Sequence, residues 1–316
     1  MVIWFLVWSM LFCTADDPHP APPAFGLAVD GVPLPANRVC FVVMPGDSVT
    51  LRAVPDTSGR SDSLEWSVSA GNPRRGFGEL MGWRAPRGHG IFDLRLTDGR
   101  RLEEYSIVVP VESCRWRTTT LNSFPVGSYG DGSTREHNPD FFIELRSEDL
   151  ERRLTTHLTM GHFLCHTEGS FPQYMVLQMS LLDKLEAVLA EVQSEYPEPL
   201  CIVSISGFRT PSYNARIGNR TSFSQHLYGG AADVWFDGYP PNDLIEDLDR
   251  NKRVDVSDGE LVVDAARKVE ARGEAAVGGA SAYRWTNTHG PFVHIDVRGS
   301  RATWQTRRNL IPDPVI

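Results

Sequence analysis

The sequence predicts two domains of different class, an all-β sandwich followed by an α+β domain. Three observations lead there. Apolar–polar alternation in short runs, divided by turn residues, fills residues 25–111. The period then becomes helical over residues 177–192, and a buried strand at 202–205 follows without βαβ regularity. A length of 316 residues supplies core enough for both.

The chain opens with an apolar run over residues 1–12 containing Trp4 and Trp8, followed by Cys13-Thr14-Ala15 and Asp16-Asp17. This run is too short to span a bilayer but suits the apolar region of a signal peptide cut near Ala15. Residues 1–15 are therefore expected to be a leader, and the protein to be exported to the periplasm or cell envelope. Leu11-Phe12 argue against lipid attachment at Cys13. No integral membrane span is expected once the leader is removed. Cys40, Cys114, Cys165 and Cys201 then remain. An even number in an exported chain permits two disulfides, Cys40–Cys114 and Cys165–Cys201, against the alternative of buried reduced thiols. The composition, 41% hydrophobic and 22% charged, is that of a globular protein. A net charge of −9 without a basic patch argues against nucleic acid as partner.

Residues 22–114 are read as the sandwich. Val49, Leu51 and Ala53 alternate with polar neighbours, as do Leu64, Trp66 and Val68. Phe92, Leu94 and Leu96 lead into Thr97-Asp98-Gly99 as a hairpin turn, with Ile107, Val109 and Val111 after it. Such strands around a central Trp suggest an immunoglobulin-like type. Nothing in this stretch carries chemistry, so its task is to bind, space or orient. Residues 115–145 form a linker, with Gly127, Gly130, Gly132 and Asn138-Pro139 as breakers. In the second domain, residues 146–316, Leu177, Leu181, Leu185, Val188 and Val192 recur at helical spacing and predict an amphipathic helix.

The chemistry concentrates at the end of this domain. In Ser224-Gln225-His226-Leu227-Tyr228-Gly229-Gly230-Ala231-Ala232-Asp233, the glycines let the chain turn so that His226 and Asp233 converge. In Phe292-Val293-His294-Ile295-Asp296, alternation puts His294 and Asp296 on one strand face. Two imidazoles and a carboxylate are ligand types that hold a catalytic zinc while leaving a position for water.

The Ser-x-His-x-x-Gly-x-Ala-x-Asp pattern resembles that of the zinc D-Ala-D-Ala carboxypeptidases of VanY-like type. Their murein endopeptidase relatives belong with them, and the hedgehog signalling domain shares the fold. Ser206-Gly207-Phe208-Arg209-Thr210-Pro211 to Gly218 is similar to the segment before that family's first ligand, and residues 292–296 to its closing motif. The likeness covers residues 161–304. It implies an α+β zinc-peptidase domain that hydrolyses peptide bonds of D-amino acids in peptidoglycan or its stem peptides, as carboxypeptidase or endopeptidase. It further implies His226, Asp233 and His294 as zinc ligands. Arg209 would face the substrate or its oxyanion, and Ser224 would bond substrate or cap a turn. Relatives place an acid three residues before the last His; here that residue is Pro291. Asp296 and His289 are the candidate bases, Asp296 being favoured, although it could equally fix the His294 tautomer. The missing acid leaves a non-catalytic cell-wall binding protein as the alternative.

A second metal site is suggested by residues 247–258. Asp247, Asp249, Asn251, Asp255 and Asp258 stand at the oxygen positions of an EF-hand-type calcium loop, and Arg253 occupies its backbone-carbonyl position. The sequence resembles the dockerin variant of that loop. A helix over residues 259–272 should follow. Lys252, where the turn prefers Gly, counts against it.

Overall fold

A computed structural model describes residues 25–55, 64–112, 119–129, 139–167, 169–219, 221, 223–286 and 289–304. The expected leader and Cys114 lie outside the described residues.

The first unit runs β1 (Phe25–Val29), β2 (Val32–Pro33), β3 (Cys40–Val42), β4 (Ser48–Pro55), β5 (Glu65–Val68), β6 (Arg75–Phe77), β7 (Leu80–Arg84), β8 (Gly90–Thr97) and β9 (Leu102–Val109). These strands form two sheets, β2-β1-β4-β7 and β3-β9-β8-β5-β6. Alternation works as expected: Leu51 and Ala53 are buried, while Arg52 and Val54 are exposed. Leu27, Leu51, Trp66, Trp83, Leu96 and Ile107 meet in one apolar cluster between the sheets. The Trp66 indole N–H donates to the Gly78 carbonyl at 2.6 Å, so its polar edge is not stranded. The β8–β9 hairpin closes on Asp98, whose Oδ1 accepts from the Arg100 and Arg101 amides.

β9 departs from simple alternation. Every residue from Tyr105 to Val109 is buried. Tyr105, Ile107 and Val109 belong to the sandwich core, whereas Val108 belongs, with Cys40, to the second core. The outer face of the sheet is covered by the next unit.

After β9 come β10 (Val111–Glu112), β11 (Thr120–Leu121), β12 (Phe124–Pro125) and β13 (Phe141–Leu145). The stretch expected as a linker thus ends in a strand. β13 pairs with β10 on one side and with β14 (Gln173–Met175) on the other. Phe142 is buried there, and apolar packing replaces the expected loose connection.

The remaining elements are α1 (Met179–Glu195), β15 (Leu200–Ser206), α2 (Pro211–Arg216), β16 (Ala231–Gly238), α3 (Val256–Ala271), β17 (Ala280–Tyr283) and β18 (Phe292–Asp296). The sheet order is β15-β16-β18-β17, antiparallel throughout. This is an α+β unit. α1 buries Leu181, Leu185, Val188 and Val192 of the stripe read from the sequence, while Leu177 lies before the helix. α3 starts three residues earlier than expected. Asp255 caps it by accepting from the Ser257 amide at 2.7 Å, and the Asp258 carboxylate takes the Asp255 amide at 2.9 Å. Both helices cover the sheet face that carries Val234, Val293 and Ile295. Gly259 allows the approach, since a Cβ there would lie 3.0 Å from the Ala282 Cβ. Lys184 of α1 is fully buried and donates to Glu270 Oε1 at 2.6 Å and to the Asp296 carbonyl at 2.7 Å. The opposite face of the sheet is left for the site. Among the described residues no helix is long and apolar enough to cross a membrane.

The Cys165–Cys201 disulfide expectation is corrected here. Cys165 and Cys201 are buried and form no disulfide with each other, while the Cys40–Cys114 pairing involves a residue outside the described ones. Cys165 Sγ instead lies 3.0 Å from Thr167 Oγ1 and accepts from the Thr210 amide at 3.4 Å. Cys40 Sγ approaches Met179 Sδ at 3.7 Å, and burial pushes its thiol up to about 12.

Candidate metal centre

Three separate segments bring the site together. β16 and β18 pair so that Asp233 stands directly opposite His294, both on the face away from the helices. His226 arrives on a 3-10 turn, Gln225–Tyr228, which ends at Gly229 with φ 64°. Only glycine fits that end: a Cβ at Gly229 would sit 2.2 Å from the Val176 carbonyl oxygen and in a left-handed backbone. The Arg209 amide donates to the His226 carbonyl at 3.1 Å and ties this turn to the segment before α2.

The donor atoms converge. His226 Nε2 lies 3.2 Å from His294 Nδ1 and 3.3 Å from Asp233 Oδ1, and His294 Nδ1 lies 2.9 Å from Asp233 Oδ1. All three residues are buried. Their outer partners fix the tautomers. His226 Nδ1 donates to the Gly207 carbonyl at 2.7 Å, and His294 Nε2 donates to Asp296 Oδ2 at 3.1 Å. Both inner nitrogens are then lone-pair acceptors facing a carboxylate oxygen. Three acceptors at this separation repel unless a metal ion or a shared proton lies among them. A tetrahedral zinc with bonds of roughly 2.0–2.1 Å needs ligand atoms about 3.3 Å apart. The donor set fits zinc.

Without a metal, protons take its place. Burial opposes ionisation of Asp233, yet His226, His294 and Arg209 hold its carboxyl well below the usual range. Burial pushes His226 down. Burial alone would lower His294 too, but hydrogen bonds to Asp233 and Asp296 hold it above its ordinary value.

Residues 156–261 match the model of the peptidase M15 family. Over these residues the chain is similar to the M15 peptidases. That family comprises the zinc D-Ala-D-Ala carboxypeptidases which the motifs resemble. The match takes in His226 and Asp233 and stops short of His294, which the pairing of β18 with β16 delivers. Comparison with curated proteins gives no match, and comparison with solved structures gives none.

The structure places the other expected residues differently. Asp296 does not face the convergence point. It is fully buried behind His294, where it accepts from the Gly279 amide at 2.7 Å, the Arg298 amide at 3.1 Å and the Arg298 guanidinium. These donors hold its carboxyl below the usual range despite burial. Here it would set the imidazole tautomer, the second of its two expected roles, and its enclosure speaks against the first, that of base.

Arg209 engages two of its five N–H groups. Its Nε donates to Ser206 Oγ at 2.8 Å, and an Nη pairs with Asp233 Oδ2. That leaves Asp233 Oδ1 as the oxygen aimed at the histidines. Ser224 closes the His226 turn with its carbonyl, to the Leu227 amide at 3.0 Å, and its side chain makes no cap. His289 donates from Nδ1 to the Gly290 carbonyl at 2.8 Å, so Nε2 is left as an acceptor. Its ring packs edge-on against Phe292, two residues before His294.

The loop at 247–258 resolves into a turn and a helix cap. Asp247 accepts from the Asn251 and Lys252 amides at 3.0 and 2.8 Å. Asp249 accepts from the Asn251 amide at 3.0 Å and from Ser257 Oγ at 2.8 Å. Asp255 and Asp258 cap α3, and Arg253 is exposed. Oxygens of Asp247, Asp249 and Asp258 lie within 4.8 Å of one another, but the protein's own donors already serve them. The calcium expectation finds no support in these contacts.

Three residues near the centre escaped the sequence reading: Arg298, Tyr283 and Trp304. Arg298 continues the alternation of His294 and Asp296, so a signal existed. Trp304 carries none.

Proposed function

We propose that this chain is an exported zinc peptidase that hydrolyses peptide bonds of D-amino acids in peptidoglycan stem peptides. The observation that carries this reading is the convergence of His226 Nε2, Asp233 Oδ1 and His294 Nδ1, with each imidazole's outer nitrogen fixed by a protein acceptor. The M15 match within the same segment supports the reaction class. The sandwich, taken as immunoglobulin-like, would hold or orient the murein strand.

Zinc at this site would acidify its water and polarise the scissile carbonyl. The chain's own residues do the rest. Arg209 holds Asp233 so that one carboxylate oxygen stays on the ligand side, and Asp296 keeps the His294 proton on Nε2. We assign proton transfer from the attacking water to the leaving amine to His289, whose Nε2 is the acceptor left once Asp296 is enclosed.

The test uses the full, zinc-loaded chain and purified muropeptides, with release of D-Ala or of cleaved cross-links followed by chromatography. Turnover should vanish on chelation, return with zinc, and be absent in His226→Ala. Two observations favour a second reading, a non-catalytic murein-binding protein: Pro291 stands where relatives carry an acid, and Asp296 is sealed off. Metal-replete protein that binds murein without turnover would establish that reading and sink the first.

A further inference from the structure

β17 lies beside β18, with Ser281 opposite His294 and Tyr283 opposite Phe292. Partners in an antiparallel pair share a face, so Ser281 and Tyr283 project on the side that carries the triad. The Tyr283 ring lies flat on Phe292, with centroids 4.6 Å apart and planes 7° from parallel. Trp304 holds its hydroxyl end. The Trp304 amide donates to Ser281 Oγ at 2.9 Å, its ring sits 5.0 Å from the His294 ring, and its indole N–H donates to the Tyr283 hydroxyl at 2.7 Å. Arg298 closes over the same indole at 5.1 Å.

The chemistry of that contact has one outcome for the phenol. An indole N–H can only donate. The Tyr283 oxygen therefore spends a lone pair on Trp304, and its own proton must point elsewhere. Among the described residues no group accepts it. Asp233 and Arg209 both act electrostatically on this hydroxyl, and burial holds it protonated above the ordinary tyrosine range. A fixed, half-buried, proton-bearing donor thus borders the triad with its hydrogen uncommitted. Arg209, the donor expected for a developing oxyanion, is engaged by Asp233 and Ser206.

We propose that Tyr283 donates a hydrogen bond to the carbonyl oxygen of the scissile peptide and to the oxyanion it becomes, with Trp304 as the residue that aims it. This rests on the peptidase reading above. A donor placed in advance where negative charge develops contributes mainly to the transition state, so its loss should appear in kcat more than in KM.

The test compares the full zinc-loaded chain with Tyr283→Phe, Trp304→Phe and the double variant. It measures muropeptide turnover and, by calorimetry, affinity for a phosphinate analogue of D-Ala-D-Ala. Tyr283→Phe keeps the ring on Phe292 and removes only the hydroxyl. Its kcat should fall about 10²–10³-fold with KM within about 3-fold, in the range of a lost oxyanion donor. Phosphinate affinity should fall alongside, while melting temperature and zinc affinity stay at wild-type values. Trp304→Phe should cost less, about 10-fold, and in the double variant it should cost nothing further, because the hydroxyl it aims is gone. A merely structural Trp304 would add its loss in full. Wild-type kcat and phosphinate affinity in Tyr283→Phe overturn the assignment. A wild-type chain with no turnover sinks the peptidase reading itself, and this assignment with it.

Discussion

Replacing Asp296 by Asn separates the two tasks that this carboxylate could perform. In the structure it accepts five donors: His294 Nε2–H, the Gly279 and Arg298 amides, and two guanidinium nitrogens of Arg298. Asparagine offers one oxygen and one NH₂ in the same outline. If the oxygen stays with Gly279 and Arg298, the NH₂ meets His294 Nε2, which must then accept. The imidazole proton moves to Nδ1, the atom 2.9 Å from Asp233 Oδ1, and a protonated nitrogen cannot bind a metal. If the side chain flips, its NH₂ confronts an amide N–H and a guanidinium. Either way zinc affinity should fall about 10–100-fold, the usual cost of losing such a partner, equivalent to about 1.4–2.7 kcal/mol. The assay is competition for zinc against a fluorescent chelator, with turnover expressed per bound zinc. An Asp296→Asn chain that keeps wild-type zinc affinity but loses turnover would refute this reasoning and restore Asp296 as the base.

Other outcomes follow from the same geometry. Lys184→Met leaves Glu270 buried with, among the described residues, Arg301 at 3.3 Å as its counter-charge, and should cost about 3–5 kcal/mol in urea unfolding. A second change, Glu270→Gln, should recover much of that loss. His162 is fully buried with its pKa pushed down to about 4 by desolvation. The unfolded chain takes up this proton near pH 6.5 and the folded chain only near 4, so stability should fall as pH drops through that window, by about 3 kcal/mol. Unfolding of His162→Gln across the same pH series should lack that part of the slope; an unchanged slope would contradict it. Gly229→Ala forces a Cβ against the Val176 carbonyl in left-handed backbone and should destabilise by at least about 2 kcal/mol while weakening zinc retention. Wild-type stability in that variant would mean the turn carrying His226 is not held as described.

The triad was legible because each of its parts is local. A Gly-Gly turn between His226 and Asp233, and a strand alternation through His294, need no knowledge of distant contacts. The role of Asp296 was not legible, since alternation says which face a side chain shares but not which imidazole nitrogen it meets. Tyr283 and Trp304 matter only through strand register, which no sequence spacing fixes. The loop at 247–258 shows the opposite hazard. Oxygen side chains at calcium spacing also suit Asx turns and a helix cap, and Asp255 and Asp258 took the cap. Cysteine parity does not decide Cys165 for a similar reason: it found a threonine hydroxyl and a backbone amide. The helical stripe of α1 was legible almost to the residue. The strand inside the expected linker was not, because Phe141–Leu145 gains its partners from β10 and β14, far away along the chain.

β9 is a party wall. Tyr105, Ile107 and Val109 point into one core while Val108 points into the other, so neither unit can melt without stripping a face of the same strand. The two halves of the chain should therefore lose structure in a single cooperative step, and a cavity cut at Val108 should be felt on both sides at once.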